Sequence, residues 1–311
     1  MARVNKGYAW ILLAGTAWGS IGVLARWLMD LGLDPLEVAW LRSALPLLGL
    51  IPILLKAEKG WPQLEPRDIR FFAFFGLVSG ACYNFCYFTA VELVGVTTSV
   101  ILLYTAPAFA VLFARVVFGE DVNLKKAIAV VLSLLGCFLV VKGYDLAALR
   151  LNFWGILAGL GSGVTYGLYG VFSKKARQRY SAWVSVFYCN LFGFLFLTFI
   201  KPPVGLVPFL GSVPFWRNAL ILALWGSLVP WVSYNTGVAL VEAGRAAVVA
   251  SVEPVVSAVL AACFLGEVLD LLQGLGMVMV LSAVFFAQGE GSWRRSAAQS
   301  RAGENGKTKE A

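Results

Sequence analysis

Long uninterrupted blocks of apolar residues recur along the whole chain, and no other feature constrains the fold as strongly. Each block is about 20 residues long, the length of helix that crosses the ~30 Å hydrocarbon core of a bilayer. We therefore predict an all-α integral membrane protein with ten transmembrane helices. The predicted spans are residues 8–28, 36–55, 69–91, 96–118, 124–142, 153–173, 182–200, 218–240, 246–265 and 271–288.

The composition excludes several classes of protein. Of the 311 residues, 59% are hydrophobic and 14% are charged, whereas a soluble domain has about 45–50% and about 25%. A soluble enzyme and a nucleic-acid-binding domain are therefore ruled out. The chain has no histidine, which removes the usual catalytic base and metal ligand. We predict no catalytic residue, no metal, no cofactor and no enzyme activity.

The net charge of +8 is explained by topology. Alternate loops and the two termini hold nineteen Lys and Arg on one side, against five on the other, with Arg42 inside a span. Retained positive charge marks the cytoplasmic side. We expect a multi-pass protein of the cytoplasmic (plasma) membrane with both termini in the cytoplasm, and no nucleic-acid partner.

The chain repeats itself at an offset of 147–148 residues. Pro107, Gly119 and Glu120 fall on Pro254, Gly266 and Glu267 without a gap, and glycines of the first span recur in the sixth. Five spans is an odd number, so the second half must be inverted in the membrane, an arrangement typical of carriers that open in turn to either side. The predicted units are residues 1–145, residues 146–289 and a polar cytoplasmic tail, residues 290–311.

A family resemblance rests on a few motifs of this sequence. They are Trp18-Gly19, Arg42, Tyr104-Thr105-Ala106-Pro107 through Gly119-Glu120, and Glu253-Pro254 through Gly266-Glu267. In these residues the sequence resembles the drug/metabolite transporter superfamily, specifically its EamA-type ten-helix members, and the resemblance covers about residues 7–288. It implies a central cavity lined mainly by spans 1, 3, 4, 6, 8 and 9, and the export of small metabolites, often amino acids.

Two charged residues within spans are candidate substrate-binding groups. A charge in the membrane is costly and normally faces a cavity or a partner. Glu253 precedes Pro254, whose ring frees a carbonyl near residue 250. Its alternatives are substrate binding, proton handling and a structural ion pair. Arg42 either pairs structurally, extends toward the interface or binds a substrate carboxylate.

Aromatic and amide residues on the proposed cavity helices complete the predicted substrate site, with ordinary packing as the alternative. They are Trp18, Asn84, Tyr87, Tyr104, Tyr166, Trp231, Tyr234 and Asn235. Small residues at every fourth position allow close helix contact, which predicts a packing stripe at Gly155, Gly159, Gly163 and Gly167. Glu120 and Glu267, at opposite helix ends, are interpreted as interfacial residues at the edges of gates.

We predict a secondary transporter that moves small organic metabolites such as amino acids, with export favoured by the resemblance alone. A multidrug or lipid-carrier flippase of the same fold is the first alternative, and a membrane scaffold without transport activity is the second. The expected partners are a small-molecule substrate and the lipid bilayer. Proton coupling, and the choice between monomer and homodimer, stay open.

Overall fold

The computed structural model describes residues 2–62, 64–146, 152–200, 202–266 and 268–288. The described residues are helical with short connections and form no strand. Glu267 and the predicted tail at residues 290–311 lie outside them. The first half of the chain contains α1 (Ala2–Gly19), α2 (Ile21–Met29), α3 (Pro35–Ala57), α4 (Pro66–Gly76), α5 (Tyr83–Leu103), α6 (Ala106–Phe118) and α7 (Leu124–Val140). Within α5 the backbone leaves the helical conformation at Gly95 (φ 79°, ψ 168°), where one membrane span ends and the next begins.

The second half continues with a matching series of helices. They are α8 (Phe153–Ala176), α9 (Ala182–Ile200), α10 (Val213–Ala223), α11 (Val229–Val238), α12 (Ala243–Ala250), α13 (Glu253–Leu265) and α14 (Leu271–Gln288). A 3-10 turn at Pro203–Phe209 precedes α10.

Eight helical segments of the described residues are long and apolar enough to cross a membrane. They are Val4–Met29, Pro35–Ala57, Pro66–Gly95, Thr97–Phe118, Phe153–Ala176, Ala182–Ile200, Ala243–Phe264 and Leu271–Gln288. The other two predicted spans correspond to α7, which has 17 residues, and to α10 with α11. The protein is an all-α integral membrane protein, as predicted.

Irregularities in the helices occur at equivalent positions of the two halves. A π-helical segment, Leu77–Cys82, joins α4 to α5, and a second one, Leu224–Leu228, joins α10 to α11. The α-helical pattern is also interrupted by two residues between α5 and α6 and by two residues between α12 and α13. The first turn of α6 and the first turn of α13 each contain a proline. These features are 147 residues apart, so the repeat extends to the backbone geometry.

Turn residues end the helices in the same symmetric way. Gly119 ends α6 with a φ of 66°, and Gly266 ends α13 with a φ of 71°. A left-handed conformation at a helix end is accessible to glycine without steric cost. Asn123 then caps α7, and Asp270 accepts from the backbone N–H of Gln273 at the start of α14. The two inverted repeats therefore share both their helices and their turns.

Close packing of α7 against α14 closes one side of the bundle. A Cβ at Gly136 would lie 2.8 Å from the carbonyl oxygen of Gly276, and a Cβ at Gly276 would lie 2.7 Å from that of Gly136. Small residues let helix backbones approach within the membrane, where packing rather than water exclusion drives association. The remaining long helices surround the centre of the molecule. We call the end of the bundle at which α1 begins the amino-terminal end.

Candidate functional site

A cavity of about 390 Å³ lies between the two halves, where the broken helices α5–α6 and α12–α13 approach α1 and α8. Discontinuous helices near the middle of a membrane expose backbone groups that regular helices hide, and such places carry the sites of many transporters. Aromatic residues from both halves and one carboxylate form most of the wall. These residues are Trp18, Tyr104, Tyr166, Tyr169, Tyr234 and Glu253.

Trp18 is the centre of the aromatic wall. Its ring centroid lies 5.4 Å from that of Tyr234, 6.2 Å from that of Tyr166 and 6.3 Å from that of Tyr169. The contacts to Tyr166 and Tyr169 are edge-to-face, the geometry that the ring quadrupoles prefer. Trp18 can take this position because the neighbouring Gly19 packs closely against the carbonyl oxygen of Glu253. A Cβ at Gly19 would lie only 2.7 Å from that oxygen. The arrangement gives a rigid apolar surface with hydroxyl groups at its edges.

Glu253 is the first residue of α13 and lies on this wall. The Tyr166 hydroxyl donates to its Oε2 at 2.9 Å. Among the described residues, Glu253 forms no ion pair, although Arg42 is near enough to interact with it electrostatically. The equivalent position in the first half is Ala106, which is 3% exposed. The carboxylate therefore belongs to one half only.

Arg42 lies in α3 and is not one of the residues that line the cavity, although its charge interacts with Glu253 and Tyr166. Its Nε donates to Ser227 Oγ at 3.4 Å, a long hydrogen bond. Ser227 belongs to the π segment Leu224–Leu228, and such segments often occur at functional sites. No carboxylate of the described residues forms an ion pair with Arg42, and Tyr83 and Glu253 contribute to its electrostatic surroundings. A cation and a carboxylate are thus held near each other without neutralising each other directly.

Tyr83 lies between Tyr87, a predicted residue of span 3, and the cavity wall. The rings of Tyr83 and Tyr87 are stacked with centroids 6.2 Å apart and an interplanar angle of 12°. The Tyr83 ring is in turn 5.7 Å from that of Tyr166. Tyr87 therefore lies in a second layer, beyond the wall itself. Tyr87 contacts the ring of Tyr83, and Tyr83 contacts the ring of Tyr166 on the wall.

Five of the predicted residues lie off the cavity wall: Arg42 and Tyr87, described above, and Asn84, Asn235 and Trp231. Asn84 donates to the Gly80 carbonyl at 2.7 Å, within the π segment that precedes it. Asn235 is 1% exposed and donates to the Tyr169 hydroxyl at 3.0 Å and to the Trp231 carbonyl at 2.9 Å. Asn235 thus supports Tyr169 from behind. Trp231 packs in the core beside it.

The four glycines of α8 face α5 and α6. A Cβ at Gly155 would lie 2.6 Å from a methyl carbon of Val94, and one at Gly159 would lie 2.8 Å from the Cβ of Leu102. At Gly163 the nearest atom is the Thr105 hydroxyl oxygen, with the Leu102 carbonyl oxygen at 2.8 Å, and at Gly167 the nearest atom is the Ala106 carbonyl oxygen, also at 2.8 Å. The glycine stripe therefore brings α8 against the break between α5 and α6, which forms part of the cavity.

Five charged residues form a largely buried cluster at the amino-terminal end, here named the Glu120 cluster. Its members are Glu120, Lys126, Lys174, Glu242 and Arg245. Glu120 accepts from Lys174 at 2.8 Å and from the backbone N–H of Ala243 at 2.8 Å. Lys126 lies 2.9 Å from Glu242, which also pairs with Arg245 at 2.7 Å. Glu120 and Lys126 come from the first half and the other three from the second, so the cluster joins the two repeats.

At the opposite end of the bundle, the positions equivalent to three members of the Glu120 cluster carry uncharged residues. Residues 147 positions away from Lys126, Glu242 and Arg245 are Gln273, Gly95 and Thr98, all uncharged. Arg26, the counterpart of Lys174 in the repeat, pairs with Asp30 at 2.8 Å on an exposed surface. Glu267, the counterpart of Glu120, lies outside the described residues. Among the described residues, the buried ion pairs are thus concentrated at the amino-terminal end.

The pKa of Glu242 predicts how the Glu120 cluster depends on pH. Burial alone would raise that pKa, but the hydrogen bond and charge of Lys126 and the charge of Arg245 lower it below the usual value. A carboxyl group with a depressed folded-state pKa contributes stability above its unfolded pKa of about 4.3, and that stability is lost as the pH falls through the folded pKa. We expect wild type to unfold at a higher temperature than Glu242→Gln at pH 7.

The same experiment should show the two proteins converging in acid. The measurement is the thermal unfolding midpoint of both proteins in detergent between pH 7 and pH 3. The difference should shrink as the pH falls from about 4.3 through the lowered folded-state pKa of Glu242, because the unfolded state takes up a proton first and the folded carboxylate is protonated only at lower pH. A difference that stays constant across this range would mean that the Glu242 charge does not stabilise the fold.

Sequence reasoning missed part of this site. Tyr169 follows Tyr166 by three residues on α8, and that spacing alone could have placed it on the same face. Tyr83 precedes Tyr87 by four residues, which gives the same signal. The Glu120 cluster had no such signal, because its lysines and arginines resemble the charges that fix topology. Only their positions in the fold show that they meet acidic partners.

Taken together, an inverted repeat of apolar helices, paired helix breaks and a central aromatic cavity define a multi-pass membrane protein with a small-molecule cavity between two halves. The model of the EamA-like transporter family matches the chain twice, at residues 5–142 and 153–288. The chain belongs to the EamA-like transporter family. Its members are transporters and not enzymes, as predicted for this chain.

Known proteins agree with this assignment over nearly the full chain. An uncharacterized transporter of Archaeoglobus fulgidus is 30% identical over 91% of this chain and 97% of its own. The uncharacterized inner membrane transporter YicL of Salmonella typhimurium is 23% identical, covering 91% and 95%. A probable terminal-alkyne amino-acid exporter of Streptantibioticus cattleyicolor is 24% identical, covering 86% and 88%.

The fold is also known from a crystal structure. That structure superposes with a TM-score of 0.73 at 17% identity, covering 93% of this chain and 99% of the other. The likeness concerns the fold alone. It agrees with the arrangement of helices described above.

Proposed function

We propose that this protein is a secondary transporter that exports amino acids or similar small zwitterions by alternating access. The observation that carries the proposal is the pair of Arg42 and Glu253. The two side chains have opposite charges, both interact with Tyr166, and form no ion pair with each other in the described structure. Because an unpaired charge inside the membrane is costly, a ligand that bears both charges would compensate both residues at once.

Each part of the cavity has a distinct role in this proposal. Glu253 accepts hydrogen bonds from the substrate ammonium group, and the Tyr166 hydroxyl holds its Oε2 in place. Arg42 binds the substrate carboxylate, since a guanidinium presents a fork of donors that matches a carboxylate. Trp18 and Tyr234 surround the apolar part of the substrate, and an ammonium over an aromatic face gains additional attraction. The printed name of the relative from Streptantibioticus cattleyicolor, an amino-acid exporter, supports this class of substrate.

Reconstituted transport tests the proposed function directly. Purified protein in liposomes is given an amino acid, the amide of that amino acid and the amine that lacks its carboxyl group. We expect saturable movement of the amino acid and little movement of the other two, because only the amino acid engages Arg42 and Glu253 together. Equal movement of all three would contradict recognition of zwitterions and favour a multidrug carrier. Movement of fluorescent phospholipid between leaflets instead would favour the flippase.

We also propose that the protein lies in the plasma membrane with its amino-terminal end on the cytoplasmic side. The excess of Lys and Arg at that end supports this orientation. Single-cysteine variants in the loop at residues 30–35 should react with an impermeant thiol reagent added outside intact cells. Variants at residues 176–180 should react only after the cells are opened. The reverse pattern would overturn the orientation.

In the alternating-access cycle, we assign the Glu120 cluster to the gate at the amino-terminal end. The cluster joins the halves in this structure, and in the proposed cycle it holds the cavity closed at that end while it is intact. Glu120 accepts from the backbone N–H of Ala243 and of Gly244, in the first turn of α12. That helix leads to Ser251 on the cavity wall. Opening this end therefore requires α12 to separate from Glu120.

Glu120→Gln should favour opening at the amino-terminal end. The substitution removes the ion pair with Lys174 and weakens the contacts with α12, and breaking a buried ion pair is costly. We expect a cysteine at Ala247, which lines the cavity on α12, to react at least about tenfold faster from that side, the effect of a shift of roughly 1.4 kcal/mol. The matched control is Glu65→Gln, because Glu65 is 57% exposed and pairs with Arg67 at the surface. Equal labelling in the Glu120 and Glu65 variants would remove the cluster from the gate.

A further inference from the structure

The guanidinium group of Arg42 uses one of its three nitrogens for a hydrogen bond within the described residues. Its Nε donates to Ser227 Oγ at 3.4 Å, and no described residue accepts a hydrogen bond from Nη1 or Nη2. A guanidinium presents its N–H donors in a fixed fork, and two of its nitrogens together can hold both oxygens of a carboxylate. With Nε bound to Ser227, Nη1 and Nη2 remain as the pair that can bind a ligand.

The nearby charge of opposite sign is that of Glu253. It acts on Arg42 together with the tyrosines between them, Tyr83 and Tyr166. Opposite charges attract strongly in an interior of low dielectric constant, so each group needs another contact if the two are to stay separate. The Tyr166 hydroxyl donates to Glu253 Oε2 at 2.9 Å, and Ser227 accepts from Arg42. A neutral hydroxyl thus holds each member of the charge pair.

The position of Ser227 depends on an irregular stretch of helix. Ser227 belongs to the π segment Leu224–Leu228 and is completely buried. This segment packs against α3, which carries Arg42, and against α1, which carries Trp18 of the cavity wall. Single π turns within α-helices are rare and frequent at functional sites. The helix irregularity therefore brings a buried hydroxyl to the guanidinium.

The first half of the chain lacks this hydroxyl at the equivalent position. The residue 147 positions before Ser227 is Gly80, in the π segment Leu77–Cys82. A Cβ at Gly80 would lie 2.8 Å from the Cα of Gly193, so close backbone packing excludes a side chain there. Glu253 likewise has Ala106 as its counterpart. The serine and the carboxylate are both present in one copy of the repeat and both absent from the other, which favours a joint role.

We propose that Ser227 is a positioning residue for Arg42, an inference that rests on the proposed function. Ser227 holds Nε, so that Nη1 and Nη2 stay available to the substrate carboxylate and Arg42 is not captured by Glu253. The contact with Ser227 persists when the substrate binds. Without the hydroxyl, Arg42 pairs with Glu253, and a zwitterion has to separate the two charges before it can bind them.

The first test measures the kinetics of amino-acid transport in liposomes. Ser227→Ala should raise KM about tenfold, because the substrate then competes with an internal ion pair. Its kcat should change little, since the loaded carrier makes the same contacts with the substrate. Ser227→Thr keeps the hydroxyl and should restore KM. The matched control is Ser185→Ala, at a buried serine of α9 that donates to the Ser181 carbonyl and does not line the cavity.

The second test does not depend on transport. It compares the thermal unfolding midpoints of wild type, Ser227→Ala, Glu253→Gln and the double variant in detergent. We expect the alanine substitution to lower the midpoint more in the Glu253→Gln background, because Arg42 then has neither the hydroxyl nor the carboxylate. In the wild-type background Glu253 replaces the lost contact. Such non-additivity is the signature of groups that share a partner.

The outcomes separate this inference from the proposed function. Equal losses of the midpoint in both backgrounds would show that Ser227 does not keep Arg42 from Glu253. An unchanged KM in Ser227→Ala, with saturable transport by wild type, would refute the positioning role and leave the proposed function intact. If folded wild type moves no amino acid, the proposed function fails, and the substrate role of Ser227 fails with it.

Discussion

Glu253→Gln should reduce kcat/KM for the transported zwitterion by about 100-fold. The substitution keeps the size of the side chain and a hydrogen-bonding group for the Tyr166 hydroxyl, but removes the negative charge that balances the substrate ammonium. Removing one member of a buried, hydrogen-bonded charge pair costs roughly 2–5 kcal/mol, and each 1.4 kcal/mol corresponds to about tenfold. Initial rates in liposomes over a range of substrate concentrations measure the effect.

The matched control for this prediction is Glu92→Gln. Glu92 also lies on a helix, α5, but it is exposed and does not line the cavity. Its variant should transport like wild type. Rates should be measured with and without an imposed pH gradient, because a carrier that moves protons through Glu253 loses its response to the gradient in the glutamine variant. Unchanged kinetics in Glu253→Gln would reduce this residue to a structural role and contradict the proposed recognition of zwitterions.

Gly167→Leu should destabilise the protein by about 3 kcal/mol or more. A Cβ at this position would lie 2.8 Å from the carbonyl oxygen of Ala106, 3.0 Å from the backbone nitrogen of Ala110 and 3.1 Å from the Cβ of Phe109. Two of these atoms belong to the backbone of α6 and cannot rotate away, so α6 would have to move. Because α6 begins at the cavity wall, the same movement would distort the site.

Gly49→Leu provides the control, since Gly49 lies in the middle of α3 and a Cβ there would have no atom within 4 Å. Leucine is a better helix former than glycine, so this variant should be at least as stable as wild type. The measurement is the thermal unfolding midpoint in detergent, together with the yield of folded protein. Equal stability of the two leucine variants would show that α8 does not need a glycine against α6.

The EamA-like family assignment and the all-helical fold were predictable from sequence because both depend on local patterns. A block of apolar residues long enough to cross the bilayer has few other structures available, since every backbone polar group must be satisfied internally. The helix breaks before α6 and α13 were not predicted, since Pro107 and Pro254 were placed inside continuous spans at residues 96–118 and 246–265. The π segments at Leu77–Cys82 and Leu224–Leu228 were not predicted, since no residue type marks them.

The candidate site was predictable only in part. Five predicted residues line one cavity, namely Trp18, Tyr104, Tyr166, Tyr234 and Glu253. They could be predicted because the resemblance to known carriers indicates which spans face the centre. Asn84, Trp231 and Asn235 share those spans but lie off the wall, as described above. A helix presents several faces to its neighbours, and a nearly uniform apolar sequence does not show which face meets the cavity.

The amino-acid sequence by itself determined the class of the protein and its internal repeat, because these follow from the length of the apolar blocks and from matching residues 147 positions apart. Only the tertiary structure decided the partners of the charges. Tyr166 meets Glu253 across 87 residues of chain, and Lys174 meets Glu120 across 54. Such contacts depend on how helices rotate and tilt against each other. That packing is a property of the whole bundle, so no local pattern encodes it.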